Sequence, residues 1–303
     1  MALINNGLPF ATSRSSDVGL SPRQLRDAHD GGAVRRMLRG VVVDSRAPDD
    51  LILRLTAVAL VLPAGAVISD HTAAWVYGAD TRPPGVLHDG RVHCLVPHNG
   101  TRPTSSLVSV RQTNLPDDDA RVIHGVALTS PVRTTSDLLR RLWRPYALAA
   151  GDAMVRARAV DVEPVLDYLA SLRRVPRLRQ ARDLAPILDG AADRHGESWM
   201  RCRIFDAGLP LPALNHSLQE AGGQEWRLDA FYEAIRLAVE YDGRRHHSVE
   251  ADRRHDDDRR THISRVHSIA FEIATRERII GEDTSFEESI GRALGYPVRP
   301  RTW

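Results

Sequence analysis

The stretch RLAVEYDGRRHHSVEADRRHDDDRR, residues Arg236 to Arg260, begins as a buried strand and ends as a dense run of charge and histidine. Leu237, Ala238 and Val239 lead into Glu240 and Asp242, and Gly243 is followed closely by His246 and His247. Strand alternation places Ala238, Glu240 and Asp242 on one face, with Leu237, Val239 and Tyr241 on the other. The preceding run WRLDAFYE carries Asp229 between apolar neighbours, and only a few residues near Ala234 join the two runs, as a hairpin would. Asp229 is therefore expected near Glu240 or Asp242. Glu197 falls in the first turn of the helix opening this region, where the helix dipole favours a carboxylate.

Carboxylates brought together repel unless a cation or a proton intervenes. A hard divalent ion is one remedy, held by one or two carboxylates while waters and a substrate phosphate complete the shell. Such an ion lowers the pKa of bound water and neutralises charge building on a phosphoryl group. His246 would exchange protons near neutral pH, and Gly243 would allow the turn that returns it over the carboxylates. A plainer reading stands beside this one: acidic residues at strand ends are commonly solvated. The pairs Arg253/Asp257 and Asp256/Arg260 have the spacing of an exposed, salt-bridged helix.

Outward from this stretch, the 303-residue chain is long enough for two or three domains with ample core. Its 42% hydrophobic and 26% charged content suit a soluble globular protein. Apolar runs fall short of a membrane span of about 20 residues, and no basic segment followed by an apolar one opens the chain. Cys94 and Cys202 lie far apart without metal-ligand spacing, so a reducing, cytoplasmic setting with no membrane association is expected. All 41 basic residues are arginine, which removes lysine from any mechanism. A net charge of +2 is too small to argue nucleic-acid binding, so that case rests on local arginine clusters.

Ser21-Pro22 predicts a helix start and Gly31-Gly32 its stop, with Leu25 and Ala28 facing inward. VRRMLRGVVVD predicts two short strands hinged at Arg39-Gly40. Pro48 to Leu62 reads as an apolar helix and His71 to Tyr77 as another. RVHCLVPH, LVSVRQT and VIHGVALT read as strands. Helices return from SPVRTTSDLLRRLW to about Ile187, divided by Pro164, Pro176 and Pro186. After DGAADRHGE the expected order is helix, two or three antiparallel strands, a charged helix near Val249 to Val266, strand and helix. The fold class is α+β multidomain, with boundaries at 1–80, 81–188 and 189–303.

Glu197, Asp229 in RLDAF, VEYDG-x-x-H ending at His246 and the Asp/Arg-rich helix together resemble the very-short-patch-repair-like (Vsr-like) nucleases. These are a branch of the PD-(D/E)xK superfamily, and the resemblance covers roughly residues 190 to 295. It implies a restriction-endonuclease-like α/β domain that hydrolyses DNA phosphodiesters with Mg2+ or Mn2+. Asp229 and Glu240 would hold the metal, with Asp242 as a ligand or an outer partner. His246 would be the general base or acid, Glu197 would orient water or a ligand, and Asp256 or Asp257 would supply the final aspartate. Three positions depart from the pattern. Asp242 stands where other branches have lysine, Arg245 where many relatives have glutamine, and FEIA offers Glu272 where a basic residue is usual.

SPRQLRDAHDGGAVRRMLRGVVVDS is similar to the winged helix-turn-helix at the start of AbiEi-type antitoxins. SDHTAAWVYGA and TSPVRTTSDLL resemble later segments of that family, over about residues 5 to 185. The resemblance implies a DNA-binding N-terminal domain followed by a mixed α/β middle region. Arg23 and Arg26 would face the major groove or its phosphates, and Arg35, Arg36 and Arg39 would lie along the backbone. The combined expectation is a DNA-binding protein with a metal-dependent endonuclease-like domain. The alternative is a non-enzymatic regulator or antitoxin with a degenerate nuclease fold and a cognate toxin as partner.

Overall fold

Local chemistry sets the first helix as the sequence predicts. Ser21 accepts from the Gln24 backbone at 3.3 Å while Gln24 accepts from the Ser21 backbone at 2.9 Å, a reciprocal capping box. Pro22 opens α1 (Pro22–Asp30), and Gly31 caps its end. The structure, a computed structural model, describes residues 3–82, 90–99, 102–220, 222–243, 250–300 and 303. Backbone contacts gather the chain into two compact units, Met1–Arg141 with Ala157–Pro186, and Leu142–Arg156 with Ile187–Trp303. The architecture is mixed α+β.

In the first unit, β1 (Phe10–Ala11), β2 (Val34–Leu38) and β3 (Val41–Asp44) form an antiparallel sheet in the order β1-β3-β2. Leu25 and Ala28 of α1 pack on Phe10, Val34 and Val42, the inward face expected for them. The hairpin turn at Arg39-Gly40 is backed by the rest of the unit. The Arg39 N–H donates to Gly90 at 2.7 Å, and a Cβ on Gly40 would lie 3.0 Å from Leu107. Asp50 caps α2 (Leu51–Ala59), accepting from Leu53 at 2.8 Å.

β4 (Val67–Ile68), α3 (Asp70–Val76), β5 (Val92–Val96), β6 (Val108–Gln112), β7 (Ala120–Ile123) and β8 (Val126–Thr129) follow. The five strands order as β6-β5-β4-β8-β7, with β5/β6 and β4/β8 parallel. The run VIHGVALT, expected as one strand, is a hairpin: His124 and Gly125 take φ of 47° and 77° and fold β7 back on β8. Two successive positive φ values suit a tight turn between twisted strands.

The helices α4 (Pro131–Arg141), α5 (Arg144–Arg156), α6 (Val162–Ser171) and α7 (Leu178–Leu184) come next, α5 belonging to the second unit. Pro164 lies in the first turn of α6, where its missing N–H costs nothing, so it does not divide a helix. Buried Asp137 on α4 gathers three guanidiniums: Arg133 at 3.0 Å, Arg111 at 3.2 Å, and Arg140. Burial pushes its carboxyl up, but Arg133, Arg111 and Arg140 together hold it below the ordinary carboxylate range.

The second unit continues with α8 (His195–Asp206), β9 (Ala213–Gln219), β10 (Glu225–Tyr232), β11 (Leu237–Asp242), α9 (Glu250–His267), β12 (Ala270–Thr275), α10 (Arg276–Ile280) and α11 (Ser285–Leu294). The sheet runs β12-β11-β10-β9, antiparallel except for β11/β12, which are parallel as the crossover through α9 requires. Leu237 and Val239 pack with Trp199 and Met200 of α8, Phe286 and Ile290 of α11, and Ala149 of α5. Ala238 faces the other way, onto Leu228, Phe231 and Ile263 of α9. Strand alternation thus holds, with both faces covered.

Replacing Asp137 with alanine would leave its guanidiniums without their shared carboxylate in the interior. We expect Asp137→Ala to cost about 3–5 kcal/mol, read as a lowered urea midpoint.

Candidate functional site

The carboxylates predicted around β11 are placed by three local features. A Cβ on Gly196 would lie 2.0 Å from the Tyr241 ring, so only glycine lets the start of α8 lie against β11. That close approach carries Glu197, the next residue, to the strand. The antiparallel register pairs Tyr232 with Leu237 and Ala230 with Val239, and one further step brings Asp229 opposite Glu240. There the Asp229 carboxylate takes the Tyr241 N–H at 3.0 Å, so a side chain supplies the acceptor. Finally, α9 crosses the face that Ala238 and Glu240 share.

Each carboxylate meets a different environment. Glu197 is buried, and its Oε2 accepts the Asp193 N–H at 2.9 Å. Burial, reinforced by the charge of Asp229, pushes its pKa up to about 7. Glu240 is also buried, yet Arg259 reaches its Oε1 at 2.5 Å and Arg260 its Oε2 at 3.0 Å. Burial lifts the Glu240 carboxyl above its ordinary range, Arg259 and Arg260 oppose the rise, and Asp229 adds to it. Asp229 therefore lies electrostatically between the two glutamates. Asp242 is half-buried at the end of β11, and Asp256 is half-buried on α9. His246 lies outside the described residues, as do Arg245 and His247. Among the described residues, no group of three or more His, Cys, Asp or Glu side chains has the arrangement of a metal site.

The reading of α9 as a merely solvated helix missed Arg259 and Arg260. They lie one turn before Ile263, which is fully buried, and so share its inward face. Asp257 and Asp258 are exposed as expected, and Arg260 also approaches Asp257 at 3.6 Å. Glu272, the departure on the last strand, is paired with Arg278 at 2.6 Å and accepts from Ser289 at 2.6 Å.

The N-terminal arginines divide into two groups. Arg23 and Arg26 on α1 and Arg36 on β2 are exposed. Arg35 is half-buried and donates to the Ala47 carbonyl at 3.1 Å, while Arg39 is half-buried beside Gly90. Three of the five arginines are thus presented to solvent, while one of the others is engaged with the chain's own backbone. No described helix is long and apolar enough to cross a membrane.

Comparison with known proteins gives this geometry its setting. Residues 64–187 match the AbiEi antitoxin C-terminal domain. The chain is 32% identical over 235 residues to uncharacterized protein MT2308 and uncharacterized protein Rv2248, each from a strain of Mycobacterium tuberculosis. The alignment covers 77% of this chain and 82% of each relative. The chain belongs to one family with these mycobacterial proteins, and its central segment is similar to the AbiEi antitoxin C-terminal domain. A solved structure, that of the RV2827C protein from Mycobacterium tuberculosis, aligns at 15% identity and a TM-score of 0.30. It covers 70% of this chain and 84% of that one.

The raised Glu197 pKa has a consequence for stability. Its folded-state value lies above the unfolded one, so the folded chain retains a proton that the unfolded chain has released. Its contribution is full below about pH 4.5 and is lost as pH rises through 7, on the order of 3 kcal/mol. Glu197→Gln should flatten this slope, measured as the urea midpoint against pH between 4.5 and 7.

Proposed function

We propose that this protein is a DNA-binding regulator of the antitoxin type. The observation that carries the reading is the match of residues 64–187 to the AbiEi antitoxin C-terminal domain. The exposed arginines of the N-terminal segment support it. Arg23 and Arg26 project from a nine-residue helix with a well-formed cap and no buried residue, beside a three-stranded antiparallel sheet. A helix presented in this way can lie in a major groove, with its arginines on phosphates or base edges. Asp27 and Asp30 share the helix, which favours orientation by a few contacts over broad electrostatic adhesion. A cognate toxin is the expected protein partner.

A second reading is favoured by the carboxylates around β11: the C-terminal unit hydrolyses DNA phosphodiester bonds. Both Glu240 oxygens are held by guanidiniums, and one oxygen each of Asp229 and Glu197 is held by a backbone N–H. The remaining oxygens of Asp229 and Glu197 suit a hard cation such as Mg2+ or Mn2+, which takes one or two carboxylates. When bound, that ion would supply an activated water and neutralise phosphoryl charge. Within the chain, Arg259 and Arg260 hold Glu240 in place, and Glu197 stores a proton near neutrality. Asp242 and His246 would complete the site.

The two readings separate experimentally. Fluorescence anisotropy with the protein's own upstream DNA should show saturable binding. Arg23→Ala/Arg26→Ala should weaken it and reduce the salt slope by about 2, one unit for each phosphate contact removed. An unchanged slope would remove α1 from the interface. For the hydrolytic reading, plasmid incubated with protein and Mg2+ or Mn2+ should be nicked or cut, and Asp229→Ala should abolish this. Cleavage that survives Asp229→Ala, or none with any DNA tried, would defeat it.

A further inference from the structure

The first unit contains a cavity of about 700 Å3 whose lining includes no residue of α1. That volume falls within the range of small-molecule sites, roughly 300–1,000 Å3. Five arginines line it: Arg111, Arg133, Arg140, Arg141 and Arg177. Leu172, Val175 and Pro176 add an apolar part to the lining, with Pro176 bordering the arginines through a bond from Arg140 to its carbonyl at 3.3 Å.

The charges do not balance. Among groups lining the cavity or ion-paired to its lining, three carboxylates answer the five guanidiniums. Asp119 pairs with Arg133 at 2.6 Å, Asp137 is shared by three arginines, and Asp70 pairs with Arg111 at 3.1 Å. Arg141 has only a loose contact with Asp70 at 3.9 Å. Arg177 has no carboxylate partner among the described residues, and its guanidinium donates to the Arg141 carbonyl at 3.2 Å. Arg140 is more than nine-tenths buried, yet its Nε has no hydrogen-bond partner, and the buried Nε of Arg111 has none either. Partial desolvation of Arg141, exposed as its side chain is, lowers its pKa, and the nearby charge of Arg111 adds to the effect.

A surplus of two positive charges matches a phosphate monoester, which carries about −1.5 to −2 near neutrality. Guanidinium forks match the tetrahedral oxygens of phosphate in geometry as well as in charge. We propose that this cavity binds a small phosphate-bearing molecule, its phosphoryl group on the arginine wall and its organic part against Leu172, Val175 and Pro176. The site makes the antitoxin-like unit responsive to a metabolite as well as to macromolecules. Arg133 and Asp137, which shape it, come from the TSPVRTTSDLL segment singled out in the sequence.

The test is calorimetry on the full chain at physiological salt, with inorganic phosphate, pyrophosphate and adenosine 5′-monophosphate as probes. The expected result is saturable binding, tighter for the nucleotide than for phosphate, and weakened about tenfold or more by Arg141→Ala or Arg177→Ala. Both side chains are substantially exposed, so these variants should keep the melting temperature of the parent; Arg141→Lys should restore part of the affinity. Absence of saturable binding by all three probes would overturn the proposal. So would affinities unchanged in both alanine variants, equal binding of a phosphate-free dicarboxylate, or displacement of a probe only by duplex DNA.

Discussion

Buried carboxylates in this chain are answered by arginine, and much of the structure is arranged around that pairing. Asp137 is held by Arg133, Arg140 and Arg111, Asp152 by Arg201, Glu287 by Arg203, and Glu240 by Arg259 and Arg260. A buried charge is tolerated only when paired and hydrogen-bonded, and the guanidinium does both through its planar array of donors. Arginine does not surrender its proton as a buried lysine can, so the positive half of each pair is fixed. Variation with pH falls on the acids. Asp152 shows the tension: burial raises it to about 6 even though Arg201, Ser198 and the Asp189 backbone all donate to it.

Glu197 differs from the other buried acids in how its charge is managed. Its hydrogen bond comes from a backbone N–H and its nearest strong electrostatic neighbour is Asp229, so a proton does what a guanidinium does elsewhere. Glu240, on the strand that the start of α8 lies against, has the opposite solution, with a guanidinium on each oxygen. Asp229 acts on both. The two glutamates are thus neutralised by different means around a shared aspartate. This places a proton-storing group next to a carboxylate fixed in position by its partners. The same principle explains the arginine-lined cavity in the first unit, where guanidiniums outnumber the carboxylates that answer them.

Much of this was legible in the sequence wherever the determinant is local. The Ser21 cap, the stop at Gly31, the Arg39-Gly40 hairpin and the α9 boundaries follow from residue chemistry and spacing alone. So did the placing of Asp229 near Glu240 or Asp242, because alternation and a short turn leave few registers; the strand pairing selects Glu240. What escaped depends on partners distant in the chain. The two-residue strands β1 and β4 exist only because β3, β5 and β8 pair with them. VIHGVALT carries no break in its apolar pattern except His124-Gly125, and His at positive φ is not a common turn signal. Arg259 and Arg260 looked solvated because the seven residues before them, Asp252 to Asp258, are all charged or histidine. Their turn toward Glu240 is set by Ile263, four and three residues on.

The second unit is not contiguous in the chain. Its α5 is drawn from residues 144–156, inside the segment that matches the AbiEi antitoxin C-terminal domain. Arg144 binds Asp206 at 2.6 Å, Asp152 binds Arg201 at 2.8 Å, and Tyr146 lies 5.3 Å from Trp199. The two units therefore cannot have been shuffled like beads on a string. A recombination event that cut near residue 187 would strip the C-terminal unit of a core helix. It would also bare Trp199 and leave Arg201 without its carboxylate. Inheritance of either half is tied to the other by one thirteen-residue helix, so the fusion behaves as a single heritable block.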